Sequence, residues 1–366
     1  MRKPRGNGQT TAGAKCIIRA HANPTRGPCF ITGIVDLRTQ DILQSAPPTQ
    51  AGRNSLRVEY RSAAEERRYG EPAPLAVVQF GTERPSNTDG SLLIHVSLDP
   101  LGGANLREIW LGEGAITQGR SGPIRFAHDE RFLFGVLEED ERRHAGIREA
   151  THSAYRAIRD FQRTSAFPHL LRMWNYLDAV NEGEGDLERY RQFCIGRATG
   201  LSESATDYPA ATAIGRQIKT HDLQVFWIAA RVPGSAIENP RQVSAYRYPR
   251  VHGPVSPSFS RATLTADGML LISGTASIVG HASQHIGDPV GQLDETLRNL
   301  HALLQRVDGK QVLPDNSVLK LYVRDASQCD AVSKRLQQHF PNVPVIYLAA
   351  DICRRELLLE IESVVG

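Results

Sequence analysis

Leu270-Leu271-Ile272 runs into Ser273-Gly274, and the chain beyond it sets Leu293, Leu297, Leu300, Leu304 and Val307 along one side of a helix. A short apolar run, a small-residue stop and then apolar positions at helical spacing predict a strand that feeds a helix. A strand at 318–323, a helix at 330–340 and strands at 345–349 and 357–361 complete the pattern. The same order occurs upstream. Phe132-Leu133-Phe134-Gly135-Val136-Leu137 reads as a strand, and Ile147, Ala150, Ala154, Ile158 and Phe161 share a helix face. A strand around 170–180, a short helix near 189–196 and paired strands at 210–214 and 223–230 follow. The expectation is an α/β (α+β) fold: two copies of one unit, each a curved mixed sheet covered by helices, packed together.

Outward from these copies the signals weaken. Leu75–Phe80 and Leu92–Leu98 read as strands in a region, 56–116, with too little helix for another full copy. Prolines at 233, 240, 249, 254 and 257 separate the blocks, and Pro249 marks the expected main boundary. The predicted organisation is an extension over 1–50, an N-terminal domain over 51–248 with a degenerate copy at about 125–232, and a C-terminal domain over 249–366. Arg2, Lys3, Arg5 and Lys15 lie among Gly, Thr and Asn without an apolar period, so that extension reads as a disordered tail.

Bulk properties exclude several classes. With 43 basic and 40 acidic residues the net charge is +3, which gives no basic field for nucleic acid. No run approaches the roughly 20 apolar residues of a membrane span, and the start lacks the apolar core of a secretory signal. Five cysteines, Cys16, Cys29, Cys194, Cys329 and Cys353, are odd in number and form no C-x-x-C pair. That argues against a disulfide framework or a zinc ribbon and for a reducing cytoplasm.

Candidate chemistry centres on Glu360. In Leu357-Leu358-Leu359-Glu360-Ile361-Glu362, period two puts Leu357, Leu359 and Ile361 on one face and Glu360 on the other. A solvated strand face is the plain reading. If the face packs against the other copy, where Phe226 is the corresponding residue, Glu360 lies in a desolvated cleft. Desolvation raises a carboxyl pKa and suits a general acid. Ser273-Gly274-Thr275-Ala276-Ser277 reads as a tight turn or a place where a ligand nears the backbone; it is neither a nucleophile elbow nor a phosphate loop. His281 and His285 are spaced as metal ligands but lack the H-E-x-x-H glutamate and sit beside Gly280 and Gly287, so no metal is expected. Arg216, Arg241, Arg247 and Arg354 are candidate carboxylate clamps, with Arg216 and Arg354 in matching places of the two copies.

The second copy resembles the RidA/YjgF fold, a chorismate-mutase-like unit. More specifically, Ser273-Gly274-Thr275-Ala276-Ser277-Ile278, Gly287-Asp288, Glu295-Thr296, Asn299-Leu300, Tyr322-Val323-Arg324-Asp325, Ala350-Asp351-Ile352-Cys353-Arg354 and Glu360-Ile361-Glu362 resemble the chorismatases. Tyr208-Pro209-Ala210-Ala211-Thr212 and Asn239-Pro240-Arg241-Gln242-Val243-Ser244-Ala245-Tyr246 extend the resemblance over most of the chain. It implies cleavage of chorismate to pyruvate and a cyclic acid without a cofactor, with the acid at Glu360. Members that release 3-hydroxybenzoate pair a cysteine and a glycine, matching Cys353 and Gly274; a branch that also gives 4-hydroxybenzoate is not separated from it. Substrate contacts are expected from Arg216, Arg241, Tyr246, Tyr208, Arg354 and Val243. The arginine that RidA deaminases use would align near Val345, which counts against imine deamination. That activity and a non-catalytic small-acid module are the alternatives. Two copies in one chain suggest a monomer, since single-copy relatives trimerise.

Overall fold

The computed structural model describes residues 56–65, 71–85, 90–102, 106–201, 208–309, 313–314 and 316–366. The extension expected over 1–50, with Cys16 and Cys29, lies outside them.

Three sheets carry the fold. The second and third have one topology. The second is built from β6 (Thr117–Ser121), β7 (Ile124–His128), β8 (Phe132–Asp140), β9 (His169–Asp178), β10 (Ala210–Arg216) and β11 (Asp222–Ala230), with helices α1 (Ile147–Thr164) and α2 (Arg189–Leu201). Its strand order is β6-β7-β8-β11-β9-β10. The third is built from β12 (Ser235–Ile237), β13 (Ala262–Leu264), β14 (Leu270–Thr275), β17 (Val318–Val323), β18 (Val345–Ala349) and β19 (Leu359–Val365), with α3 (Pro289–Asp308) and α4 (Cys329–His339). Its order, β12-β13-β14-β19-β17-β18, repeats that of the second. A small hairpin, β15 (Ile278–Val279) and β16 (Ala282–Ser283), follows β14. In each copy the only parallel pair joins strands linked through a helix, β9 with β10 and β17 with β18.

The repeat is therefore confirmed, with one change. The strands at 210–216 and 222–230 do not pair with each other; β9 lies between them, parallel to β10 and antiparallel to β11. The region before the copies is a stripped version of the same sheet. β1 (Arg57–Ser62), β2 (Ala76–Phe80), β3 (Leu93–Val96) and β5 (Leu106–Leu111) run in the order β1-β5-β2-β3, with β2 and β3 parallel and no helix between them. β4 (Pro100–Leu101) crosses over to pair with β18 at the edge of the third sheet. β12 also belongs to the third sheet although it precedes Pro249, so that sheet draws strands from both sides of the proline.

Helix formation follows from local signals. Asp288 caps α3 by accepting the Gly291 N–H at 3.0 Å, Pro289 fits the first turn, and Gly309 ends the helix at φ 72°. Leu293, Leu297, Leu300 and Leu304 are buried against Ile272, Leu321, Leu359 and Ile361, each contributing about 1.5–3 kcal/mol. α1 buries Ile147, Ala154 and Ile158 against Leu133, Met173 and Trp227 in the same way. The opposite faces of the three sheets meet in a shared core of Phe80, Trp110, Phe134, Trp174, Phe226, Leu271 and Tyr322. Strands buried on both faces explain the continuous apolar runs of the sequence. Among the described residues, no helix is long and apolar enough to cross a membrane.

Candidate active site

Strand β19 sends Leu359 and Ile361 into the helix-side core, so Glu360 and Glu362 face the neighbouring sheet. Leu357 does not share the face of Leu359 and Ile361. It precedes the strand in a turn closed by its N–H to the Arg354 carbonyl, and it joins the core between the sheets. The repeat partner of Glu360 also differs from the expectation. Tyr176 and Tyr322 match across the copies and their hydroxyls meet at 2.8 Å. Glu360 is registered with Tyr322 and Gln224 with Tyr176, so Gln224 is the counterpart of Glu360, and Phe226 is that of Glu362. Gln224 bonds to the His95 carbonyl and to Glu138, so it is held by neighbours rather than free for chemistry.

Glu360 lines a cavity of about 320 Å³ between the second and third sheets. Helix α2 contributes Tyr190, Cys194 and Arg197; β10 contributes Thr212; the segment before β13 contributes Tyr248 and Arg261. Gly274 of β14 and Cys353 and Arg354 of the β18–β19 connection complete the wall around the acid. Backbone bridges Gly215–Asp351 and Ala210–Ser260 hold the two sheets together here. The Ser273-Gly274 segment is a strand with a shifted register, not a turn. Ser273 Oγ accepts the Ala211 N–H at 2.8 Å and donates to the Ser260 carbonyl at 2.6 Å. The Gly274 N–H donates to Thr212 Oγ1 at 2.9 Å.

Two adjacent carboxyls are held in opposite states. Burial, then the negative charge of Glu362, pushes Glu360 up to about 8, against smaller opposing effects of Arg172 and Arg261. Burial would also raise Glu362, but Lys320 and Arg172, with hydrogen bonds from Lys320 and Thr212, hold it below the usual carboxylate value. Glu362 accepts from Arg172 Nη2 at 2.7 Å, Lys320 Nζ at 2.7 Å, Thr212 Oγ1 at 2.6 Å and Trp174 Nε1 at 2.9 Å. At neutral pH the pair is thus one neutral acid and one fixed anion. Burial, and secondarily Glu360, pushes the Cys353 thiol to about 12, so it is neutral as well.

Of the residues singled out in the sequence, Glu360, Cys353, Gly274 and Arg354 come together at the cavity. Arg354 lies 5.3 Å from the Tyr248 ring and donates to the His281 carbonyl. Arg216 is elsewhere: it is buried, bonded to Asp178 at 2.9 Å and to the Tyr176 carbonyl at the end of β9, and is not in the cavity wall. Arg241 is held by Asn299 at 2.8 Å and Glu295 at 2.5 Å, outside the cavity wall. Tyr208 and Tyr246 pair ring to ring at 5.4 Å, also outside it. Val243 is outside the cavity wall as well, and its carbonyl accepts from Arg261 at 2.9 Å. His281 and His285 do not converge; the first contacts His252 at 3.0 Å and the second Glu295 at 3.3 Å. No group of three or more His, Cys, Asp or Glu placed to hold a metal occurs among the described residues.

Sequence reading missed Arg197 and Arg261. Both are buried, neither has a carboxylate within ion-pair distance among the described residues, and the Nε of each has no hydrogen-bond partner. Arg197 contacts Met173 Sδ and the Tyr155 ring; Arg261 donates to the Tyr248 hydroxyl at 2.7 Å. A signal for the first was present. Gly196 and Gly200 on α2 leave no room for a Cβ against α1, so this face of α2 is buried and Arg197 with it. Two buried cations without counter-ions are costly unless an anion comes to them.

Residues 108–229 match the family described as "Chorismatase FkbO/Hyg5-like, N-terminal". Over 315 residues, the chain is 31% identical to a 3-hydroxybenzoate synthase of Streptomyces hygroscopicus, covering 80% of this chain and 91% of that one. It belongs to the chorismatase family. A chorismatase of the same organism is 33% identical over 81% of this chain and 90% of its own length. A chorismatase crystal structure superposes with a TM-score of 0.75 at 30% identity, covering 85% of this chain and 98% of the other. The chorismatase fold thus extends beyond the two repeated units and includes the helix-free sheet.

Proposed function

We propose that this chorismatase cleaves chorismate to pyruvate and 3-hydroxybenzoate, with Glu360 as the general acid. The observation that carries the role of Glu360 is the burial of its carboxyl, which pushes its pKa up to about 8, at the wall of a cavity lined also by two guanidinium groups with no carboxylate in ion-pair distance among the described residues. Chorismate carries two carboxylates, and Arg197 and Arg261 are placed to receive them; bidentate guanidinium–carboxylate contacts orient as well as bind. Arg354 at the same wall adds a third cation. These three take the substrate-holding role expected of Arg216 and Arg241.

Glu360 donates its proton to the methylene carbon of the enolpyruvyl group. The π electrons form the new C–H bond and an oxocarbenium centre develops at the ether-bearing carbon. The Glu360 carboxylate formed at that moment faces the cation, which it stabilises. The oxygen of the neighbouring ring hydroxyl attacks the ring carbon that bears the ether, that carbon–oxygen bond breaks, pyruvate leaves with the ether oxygen as its ketone, and the hydroxyl proton returns to Glu360. The oxirane so formed opens at the carbon that first carried the hydroxyl, and loss of the proton from the carbon that keeps the oxygen, with protonation of that oxygen, gives 3-hydroxybenzoate. The two products together contain the atoms of chorismate, so no net water is consumed. A positioned acid contributes about 10²–10⁴ in rate. Gly274 and the neutral Cys353 thiol border the acid and shape the space for the ring, in keeping with the glycine–cysteine pair of the 3-hydroxybenzoate type.

A cytoplasmic location is part of this proposal, and the free thiols of Cys194, Cys329 and Cys353 are compatible with it. A monomer is proposed because three sheets of one chain already pack face to face. The test is incubation with chorismate, coupled detection of pyruvate and chromatography of the aromatic product, with Glu360→Gln in parallel. Pyruvate formation lost in Glu360→Gln while chorismate still binds supports the role; undiminished turnover rules Glu360 out.

A further inference from the structure

Beneath the cavity, four buried charges cross the centre of the molecule. Glu108 comes from β5 of the first sheet, Arg172 from β9 of the second, and Lys320 and Glu362 from β17 and β19 of the third; each is at most 4% exposed. Lys320 Nζ is 2.7 Å from both Glu108 and Glu362, and Arg172 is 2.7 Å from Glu362. Trp110 Nε1 donates to Glu108 at 2.6 Å and Trp174 Nε1 to Glu362 at 2.9 Å. Two carboxylates and two cations cancel, so the cluster is neutral as it stands.

Glu360 is the next inward-facing residue of β19, about 7 Å along the strand from Glu362. Ionising it would add an unbalanced negative charge beside a cluster already at zero. The other titratable or charged groups around it are Tyr248 and Arg261 before β13, Tyr190, Cys194 and Arg197 on α2, Tyr322 on β17, and Cys353, Arg354 and Glu356 before β19. Arg172 and, after it, Arg261 favour the ionised form, and Arg172 is already bonded to Glu362. A mechanical link runs parallel to the electrical one. Thr212 Oγ1 donates to Glu362 at 2.6 Å and accepts from the Gly274 N–H at 2.9 Å, and Gly274 is the residue against which the Glu360 carboxyl rests.

We propose that Glu362 is a positioning residue for the reaction. With Lys320, Arg172 and Glu108 it forms a balanced cluster that keeps Glu360 in its proton-donating form, and through Thr212 it fixes the strand on which that carboxyl lies. This deepens the assignment of Glu360 as the acid and rests on it. It also gives the helix-free first sheet a part in the chemistry, because Glu108 supplies one of the two anions.

Profiles of kcat against pH for chorismate turnover test it. In the parent the rate falls as pH rises through about 8, where Glu360 ionises. In Glu362→Gln two cations face one anion, Glu360 ionises more readily, and the fall moves down by about one to two pH units, with recovery of rate on acidification. Glu108→Gln moves it in the same direction by less, being on the far side of Lys320. An unmoved descending limb with a uniform loss of rate in Glu362→Gln overturns the proposal and leaves a purely structural role. Removing one member of a buried pair is destabilising, so circular dichroism accompanies each variant. If Glu362→Gln does not fold, Glu108→Gln decides alone: an unmoved limb there overturns the proposal. Glu360→Gln separates the two ideas. Full turnover in it removes the acid itself, whatever Glu362 does.

Discussion

The carboxyl of Glu360 occupies the space where a side chain on Gly274 would begin: a Cβ built there lies 2.7 Å from Glu360 Cδ, nearer still to Oε1, and 3.2 Å from Thr212 Oγ1. The backbone of Gly274 is not in the left-handed region, so its conformation does not demand glycine. Proximity to the acid does. Gly274→Ala is therefore expected to fold and to displace the acid by a fraction of an ångström or more. Misplacement of that order costs up to about 10²-fold in rate. We expect at least a tenfold fall in 3-hydroxybenzoate formed per minute, read by product chromatography, with an unchanged circular dichroism spectrum.

The raised Glu360 group also fixes a pH dependence of stability. Its folded value, about 8, lies above the value of 4.5 it has when unfolded. The native state therefore binds the extra proton between these limits. Its contribution is fully present below about 4.5 and is lost as pH rises through 8. Glu360→Gln cannot ionise and escapes this loss. Its Tm is expected to exceed that of the parent by several degrees near pH 8 and by little near pH 5, as measured by differential scanning calorimetry.

Arg197 and Arg261 are expected to respond alike to replacement. Replacing either with Met removes a buried cation together with its cost, so stability is expected to hold or rise. Binding is expected to suffer, because a charge-assisted contact to a carboxylate contributes about 1.5–3 kcal/mol. The KM for chorismate should rise by about 10- to 150-fold for each. An unchanged KM in both variants would show that the carboxylates are held elsewhere.

Cys353 is neutral at working pH, which removes it as a nucleophile. Cys353→Ala is expected to alter the ratio of 3-hydroxybenzoate to other aromatic acids without abolishing pyruvate release. Reaction of this thiol with iodoacetamide at pH 7.5 should be slow, because only a minute fraction is thiolate. Rapid labelling at Cys353, mapped by peptide mass spectrometry, would contradict the buried environment.

Local chemistry made much of this legible. Apolar periods in Leu270–Ile272 and Leu293–Val307 are properties of neighbouring residues, as are the Asp288-Pro289 helix start and the alternation that sets Glu360 opposite Leu359 and Ile361. The match between copies follows because equal patterns of burial produce equal elements. Glu360, Cys353 and Gly274 were within reach as a set only through the resemblance to the chorismatases, whose motifs keep their order along the chain.

Partnership was not legible. Arg216 and Arg197 are the same residue type in similar apolar settings, yet one meets Asp178 and the other meets no carboxylate. Which of them is spent depends on strands and helices far apart in sequence. The cluster of Glu108, Arg172, Lys320 and Glu362 draws on all three sheets and has no local signature at all. The sequence alone determined which segments become strands and helices and that Glu360 lies on the strand face opposite Leu359 and Ile361. Only the tertiary structure decided which charges neutralise one another, because Coulomb energies and desolvation depend on distances in space that chain spacing does not specify.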